Sequence, residues 1–392
     1  MRNHCINNLL NLKDVFVKKI NFFDDKVYIY IESVPHSSSC PHCNSSSFAI
    51  KDYYSQTIKD VPIHFKQTFL ILKKRRYICK SCHKTFFEAF DFLPKFHRST
   101  NRLTAYIFQQ LTTNKSMKQI AYESFVSINK VMRTVDLFSS DNSTLPEVLS
   151  IDEFKGNSGN FKYQVALIDS KNHKIIDILP CRYKHDLCSY FKKFSFKERS
   201  KVKYFVTDLW ETYKDISMTY FPNAKIVADR FHFFRYINNA LNDVRKDVQK
   251  NLPKSEQKHF FHSRKLFLSK MKDLKPEQLE KLNYILINYS ENLRIIYREK
   301  EDLLDIIHSN DSDSKITRFN DWVKRNLSID IPKLNEVAKT YSHWSYEIKN
   351  SLTVPYSNGV IEGFNNKIKT LKRISFGFRS FKRFRTRILL LD

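Results

Sequence analysis

The stretch VLSIDEFKGNSGNFKYQVALIDSKNHKIIDIL, residues 148–179, decides the fold. It holds three short apolar runs, Val148–Phe154, Phe161–Asp169 and Lys174–Leu179, parted by Gly156–Asn160 and Ser170–His173, and reads as an antiparallel meander. A fourth strand, Tyr204–Thr207, ends at Asp208, and a fifth, Lys225–Ala228, ends at Asp229. Asp152 and Asp208 therefore lie within or just past apolar strands, in the runs LSIDEF and YFVTDLW, where an unpaired carboxylate is costly. Acids carried on converging strands suit divalent cations, because magnesium takes oxygen ligands and keeps part of its water. Glu153, next in sequence, should face the other side of the sheet if this strand alternates.

A third acid stands far downstream, in SNGVIEGFNNKIKTLKR, residues 357–373. At helical period Ile361, Phe364, Ile368 and Leu371 make an apolar stripe, and Glu362, Asn365, Asn366, Lys369 and Arg373 make a polar one. One face packs while the other is free to hold a metal ion and a phosphodiester. Between Asp208 and Glu362 lie 153 residues, and most of them, about 233–350, have helical apolar spacing, which implies an inserted helical domain.

Upstream, residues 140–147 (SDNSTLPE) are a polar linker. Before it, Cys40-Pro41-His42-Cys43 and Cys79-Lys80-Ser81-Cys82 are two knuckles that can present four thiolates to one tetrahedral zinc, with His36, His42 and His83 as possible substitutes. The 35 residues between the pairs exceed the usual gap, so they must form structure of their own, and residues 69–78 (FLILKKRRYI) read as one strand of a ribbon. Lys73, Lys74, Arg75 and Arg76 concentrate charge there that can meet phosphates. After Pro94 the spacing turns helical, with Ser99 or Thr100, Ser116 and Ser127 as N-caps of three short helices. The last two suit a helix-turn-helix whose final helix, bearing Lys130 and Arg133, enters a major groove, although the glycine common in such turns is absent.

Composition agrees with a polyanionic partner. The 392 residues carry a net charge of +26; residues 1–139 hold 21 basic and 10 acidic groups, and residues 363–392 hold 9 and 1. Only five glycines occur, so no glycine-rich phosphate loop can be written. No run approaches the ~18 apolar residues of a membrane span, and no signal-peptide core opens the chain; a cytoplasmic, nucleoid-associated protein is expected. Among the seven cysteines, Cys181 and Cys188 have no partner motif and read as packing residues.

The order of Cys-x-x-Cys pairs, helix-turn-helix, Ile-Asp-Glu-Phe, Val-Thr-Asp, Ala-Asp-Arg-Phe-His and Ser-Asn-Gly-x-x-Glu-Gly-x-Asn-x-x-Ile-Lys resembles the insertion-sequence transposases of the ISL three family over nearly the whole chain. The carboxy-terminal run through Arg373, Gly377, Phe378, Arg379, Phe381, Phe384 and Arg385 is the most specific part of that resemblance. It implies an α/β, RNase H-like catalytic core with a large helical insertion, preceded by a zinc-binding β module and a helix-turn-helix. The expected domains are residues 1–93, 94–140, 148–232, 233–350 and 351–392. It further implies an Asp-Asp-Glu triad at Asp152, Asp208 and Glu362 holding two Mg2+ ions, beside a Zn2+ on Cys40, Cys43, Cys79 and Cys82. Asp229 and His232 resemble an Asp-x-x-His pair near such active sites, though a helix N-cap and a core histidine would look the same. Asn365, Asn366, Lys369 and Arg373 would support the site, and Arg379 and Arg385 would join the amino-terminal cations on DNA. The partners implied are the element's terminal inverted repeats, target DNA and a second copy of the chain. A non-catalytic zinc and helix-turn-helix regulator, or a decayed transposase that still binds element ends, is the competing reading.

Overall fold

The computed structural model describes residues 10–34, 39–138, 143–309, 311–357 and 359–391. His36 and Asn358 lie outside them. The chain divides into two compact units, one of residues 1–140 and 369–392, the other of residues 141–368.

The first unit is built on a sheet in the order β1-β2-β4-β3, with β5 paired to β4. Its strands are β1 (Val15–Phe22), β2 (Lys26–Ser33), β3 (Phe48–Ile63), β4 (Lys66–Cys79) and β5 (Thr85–Phe87). Alternation buries Val15, Val17, Val27, Ile29, Ile31, Leu70 and Leu72 together on one face. The ribbon expected at 69–78 is the returning arm of the long β3–β4 hairpin, and Phe48 pairs with Cys79 at its open end. The hairpin therefore accounts for the wide gap between the cysteine pairs: the chain runs out and back. Its tip, His64 and Phe65, takes two left-handed residues without a glycine, at φ +50° and +59°.

Three helices follow: α1 (Asn101–Leu111), α2 (Met117–Glu123) and α3 (Ile128–Asp136). Thr100, Ser116 and Ser127 cap them, each side-chain oxygen accepting from the backbone N–H three residues on. In the α2–α3 turn Phe125 adopts φ +53°, doing without the glycine that usually supplies this conformation, and Lys59 Nζ donates to its carbonyl. The core of this bundle is Leu103, Ile107, Leu111, Ile120, Val131 and Val135, and it also takes in Leu390 from the chain's end.

The second unit carries a sheet in the order β10-β9-β6-β7-β8, formed by β6 (Val148–Phe154), β7 (Gln164–Asp169), β8 (Lys174–Leu179), β9 (Tyr204–Thr207) and β10 (Lys225–Ala228). β6, β7 and β8 are antiparallel neighbours, whereas β9 runs parallel to β6, and β10 parallel to β9. β7 begins at Gln164 and not at Phe161, because residues 157–161 close a tight turn with Asn157 and Gly159 at positive φ. Gln164 fills the space beneath Gly156, where a Cβ would meet its Oε1 at 1.6 Å, and its Nε2 donates to the carbonyls of Ser158, Phe161 and Pro180.

One face of the sheet, through Leu149, Ile151, Val165, Leu167 and Phe205, packs on α4 (Lys184–Phe191) and α6 (Glu211–Tyr220), with the short α5 (Phe196–Arg199) between them in sequence. The other face carries Val148, Val206 and Val227 against Val354 and Tyr356. After β10 the chain is helical: α7 (Arg230–Asn251), α8 (Lys254–Gln257), α9 (Arg264–Leu268), α10 (Pro276–Asn288), α11 (Glu291–His308), α12 (Ser312–Leu327), α13 (Pro332–His343) and α14 (Ser345–Thr353). Their own apolar core includes Phe233, Trp322, Tyr341 and Trp344. α14 brings the chain back to the sheet, where Asn350 Nδ2 donates to the Ile226 carbonyl at 2.8 Å.

Two helices finish the chain, α15 (Gly359–Ile374) and α16 (Phe381–Leu389). Ile361, Phe364, Ile368 and Leu371 of α15 are all buried, as the apolar stripe requires. α16 packs on the three-helix bundle: Arg383 pairs with Asp136 at 2.7 Å, and the fully buried Arg387 donates to the carbonyls of Thr113 and Lys115. Part of the basic tail is thus structural, since Arg387 holds the α1–α2 connection instead of facing solvent.

Candidate active site and metal centre

Parallel pairing sets the acids in a row. β6 and β9 are in register at Ser150–Val206, and β9 and β10 at Thr207–Ala228. Carried on by two residues and by one, that register puts Asp152, Asp208 and Asp229 side by side at the carboxyl ends of three adjacent strands. Asp152 shares the sheet face of Val148 and not that of Leu149 and Ile151. Glu153 faces the opposite way and pairs with Arg182 Nη1 at 2.8 Å, as strand alternation predicts.

His232, one turn into α7, stands among these acids. Its Nδ1 is 3.8 Å from Asp208 Oδ2, and its Nε2 is 4.0 Å from Asp229 Oδ2. Asp229 occupies the N-cap position of α7 and is buried, but its side chain makes no capping bond. Burial pushes Asp152 up to about 6, with the charges of Asp208 and Asp229 adding to the effect, while His232 and the Glu153 N–H oppose it. Burial alone would lower His232, yet the neighbouring carboxylates of Asp208, Asp229 and Asp152 outweigh it and raise its pKa.

α15 reaches this row through Asn365, whose Nδ2 donates to Asp152 Oδ2 at 3.0 Å. Glu362 is one turn earlier on the same polar stripe and is exposed, as are Asn366, Lys369 and Arg373. No three of Asp152, Asp208, Asp229, His232 and Glu362 bring ligand atoms within 4.8 Å of one another; among the described residues only the cysteine quartet does so. The structure thus unites Asp152, Asp208, Asp229, His232 and Asn365. Glu362 shares their helix contact without closing on them.

The quartet is made of two matching turns. Cys40 N–H donates to the Ser45 carbonyl and Asn44 N–H to that of Cys40; Cys79 N–H donates to Lys84 and His83 N–H to Cys79. Asn44 and His83 occupy the same left-handed position, at φ +57° and +59°. The sulfurs of Cys40 and Cys82, and of Cys43 and Cys79, are 3.6 Å apart, close to the ~3.8 Å edge of a tetrahedron with ~2.3 Å zinc–sulfur bonds. Backbone N–H groups of Cys82 and Ser81 lower the Cys79 thiol to about 6, so a thiolate is ready at neutral pH. The four cysteines therefore fit zinc by number and spacing.

Residues 149–388 match the family described as a transposase, of the ISL three type, and residues 36–82 match the zinc-finger of transposases IS204, IS1001, IS1096 and IS1165. The chain belongs to the ISL three family of transposases. It is 22% identical over 360 residues to the transposase for insertion sequence element IS1001 of Bordetella parapertussis, covering 90% of this chain and 88% of that one. It is also 23% identical over 244 residues to the transposase for insertion sequence element IS1557 of Mycobacterium tuberculosis, covering 56% and 54%. A shorter match, 35% over 106 residues, is to a Lactococcus lactis protein named an ATP-dependent protease, and it spans 27% of this chain and 32% of that one. This transposase has no glycine-rich phosphate loop with which to answer that name.

The basic side chains of the transposase divide into outward and committed groups. Lys73 is half-exposed, 3.7 Å from Glu32, and Lys74 Nζ donates to Gln56 Oε1. Arg75 is bound to the buried Glu88 at 2.8 Å and to Ser33, and Arg76 pairs with Asp52. Lys130 Nζ turns back to Thr104 Oγ1 at 3.1 Å, whereas Arg133 and Arg379 are exposed and Arg385 is half-buried. Sequence reasoning missed the structural duties of Arg75, Arg182 and Arg387; each depends on a partner distant in sequence and leaves no local pattern. No helix among the described residues is long and apolar enough to cross a membrane.

Proposed function

We propose that the chain cuts and joins DNA at the ends of its insertion sequence, using Asp152, Asp208 and Glu362 on an RNase H-like core. Three antiparallel strands followed by two parallel ones, in the order β10-β9-β6-β7-β8, support that core. The helices between β10 and α15 are then its insertion, on the expected division into residues 1–93, 94–140, 148–232, 233–350 and 351–392, with residues 369–392 grouped with the amino-terminal unit. The observation that carries the reading is the alignment of Asp152 with Asp208 at neighbouring strand ends, joined to the Glu362 helix through Asn365.

The oxygen donors of this row fit magnesium, since three aspartates at adjacent strand ends gather carboxylate oxygens whose like charges a cation would offset. When bound, two Mg2+ ions lower the pKa of an attacking water or DNA 3′-hydroxyl and stabilise the leaving oxygen. The chain's own residues prepare that site. Asn365 fixes the orientation of Asp152, His232 sets Asp208 and Asp229 against each other, and Glu362 supplies a third carboxylate from the helix face that meets Asp152. Zn2+ on the four cysteines holds the hairpin module, while α2 and α3 act as a helix-turn-helix that presents Arg133 to DNA. Lys73, Lys74 and Arg379 add phosphate contacts, and two ends held together call for at least a homodimer.

The test is strand cleavage and joining on DNA bearing the element's ends, with Mg2+. Asp208→Asn should lower both by roughly a hundredfold or more while end binding persists. A wild-type protein that binds ends but never cuts them would favour the non-catalytic reading instead.

A further inference from the structure

The three most exposed large apolar side chains among the described residues are phenylalanines, Phe376 (99%), Phe65 (98%) and Phe96 (91%). All three adopt left-handed backbone conformations, at φ +54°, +59° and +65°. Phe376 differs from the other two in its setting. Lys95 lies over the Phe96 ring, and the Phe65 hairpin neighbours the Asp25 turn, where Gln67 N–H donates to the Asp25 carbonyl. Phe376 instead ends α15, the helix that carries Glu362 and Asn365.

Its turn has a defined geometry. Gly377 N–H donates to the Lys372 carbonyl at 3.0 Å, and Phe376 N–H donates to that of Arg373 at 3.2 Å. These are the two bonds of a Schellman cap, in which the left-handed residue is usually glycine because a Cβ is strained there. Here phenylalanine occupies that position although Gly377 stands next to it. Phe378, two residues on, is buried and stacks on Phe384 at 4.9 Å, whereas Phe376 is almost wholly exposed to solvent. The surroundings are strongly cationic. Lys369, Arg373, Arg379 and Lys382 are exposed, and no acid occurs between Glu362 and Asp392.

We propose that Phe376 is a DNA wedge, a residue that enters the base stack or supports an unstacked base while the surrounding cations hold the phosphates. An apolar ring on a rigid turn within a basic surface fits nucleic acid better than a protein face, because aromatic stacking is sequence-tolerant and the cations need phosphate partners. This rests on the reading that the segment after Glu362 meets the DNA to be cut.

The full-length protein is tested with Phe376→Gly, which supplies the residue this turn favours and so should keep or slightly raise the melting temperature. Two fluorescent duplexes of one sequence are used as probes, one fully paired and one with an unpaired fork, each carrying 2-aminopurine beside the junction. The wild type should bind the fork more tightly and brighten the 2-aminopurine as its neighbour unstacks. Phe376→Gly should lose the brightening and weaken fork binding roughly tenfold or more, with little change on the paired duplex; Phe376→Trp should restore both. Unchanged brightening and affinity in Phe376→Gly would overturn the proposal, as would a change in oligomeric state with DNA binding intact. Lys369→Glu with Arg373→Glu separates the two levels. If that pair weakens both duplexes while Phe376→Gly does nothing, only the wedge fails; if it weakens neither, the tail does not contact DNA and the underlying reading fails with it.

Discussion

The cysteine quartet and the acid row gather candidate metal-binding side chains by opposite means. The thiols come from two copies of one local turn at the open end of a hairpin and stand 3.6 Å apart in pairs. The acids come from three strands, with Glu362 on a helix more than two hundred residues beyond Asp152, and no three of these groups close within 4.8 Å. A closed tetrahedron of thiolates is a structural device, whereas an open set of carboxylates leaves coordination positions for substrate oxygen. The first should therefore govern folding and the second chemistry, and substitutions can break that division.

The largest effect should follow loss of the thiolates. Cys79→Ser should reduce bound zinc from one per chain to a small fraction and abolish the thermal transition of the amino-terminal module, since structural zinc contributes about 10–16 kcal/mol of apparent binding energy. Metal analysis and calorimetry read both, and retention of zinc would break the comparison on its closed side.

Next is the buried Glu88 below that site. Burial pushes its pKa up, but the Arg75 backbone N–H, Ser33, the Arg75 guanidinium and Tyr77 together hold it below the usual carboxylate value. A depressed acid stabilises the fold above its unfolded pKa and loses that contribution as pH falls through the folded value. Glu88→Ala should thus cost roughly 3 kcal/mol at neutral pH, with the difference from wild type shrinking below about pH 4. A pH-independent difference in melting temperature would contradict this.

The acid row should behave with the reverse sign. Asp152 is raised to about 6, so its ionisation opposes folding: the stabilising protonated form is lost as pH rises through that value. In magnesium-free buffer at pH 7.5, Asp152→Asn should stabilise the second unit by roughly 1–3 kcal/mol while abolishing cleavage. The gain should vanish near pH 4. A destabilised variant would mean that Asp152 serves the fold. The smallest effect belongs to Asn365→Ala, which should lower cleavage about tenfold through disorder of Asp152 and change the melting temperature by little more than a degree.

Much of this arrangement was legible in the sequence because local rules govern it. Strand ends at Thr207 and Ala228, caps at Thr100, Ser116 and Ser127, and the buried stripe of α15 follow from apolar spacing and side-chain capping. The start of β7 was misjudged because Phe161 continues the apolar run while the turn at 157–161 takes it out of the strand. The in-register alignment of Asp152, Asp208 and Asp229 has no sequence signal, since strand pairing is fixed by contacts 21 and 56 residues apart. The same reason hid the duties of Arg75 and Arg387: a cation that folds the protein and a cation that meets DNA look alike until a partner such as Glu88 or the Thr113 carbonyl is in view.

The central claim, that an open carboxylate site on this sheet performs the chemistry, is tested most directly by Mg2+-dependent cleavage and joining of element-end DNA by Asp208→Asn beside wild type. The account predicts that zinc content, melting temperature and end binding are retained while both reactions fall by roughly a hundredfold or more. Cleavage by Asp208→Asn at the wild-type rate would contradict it.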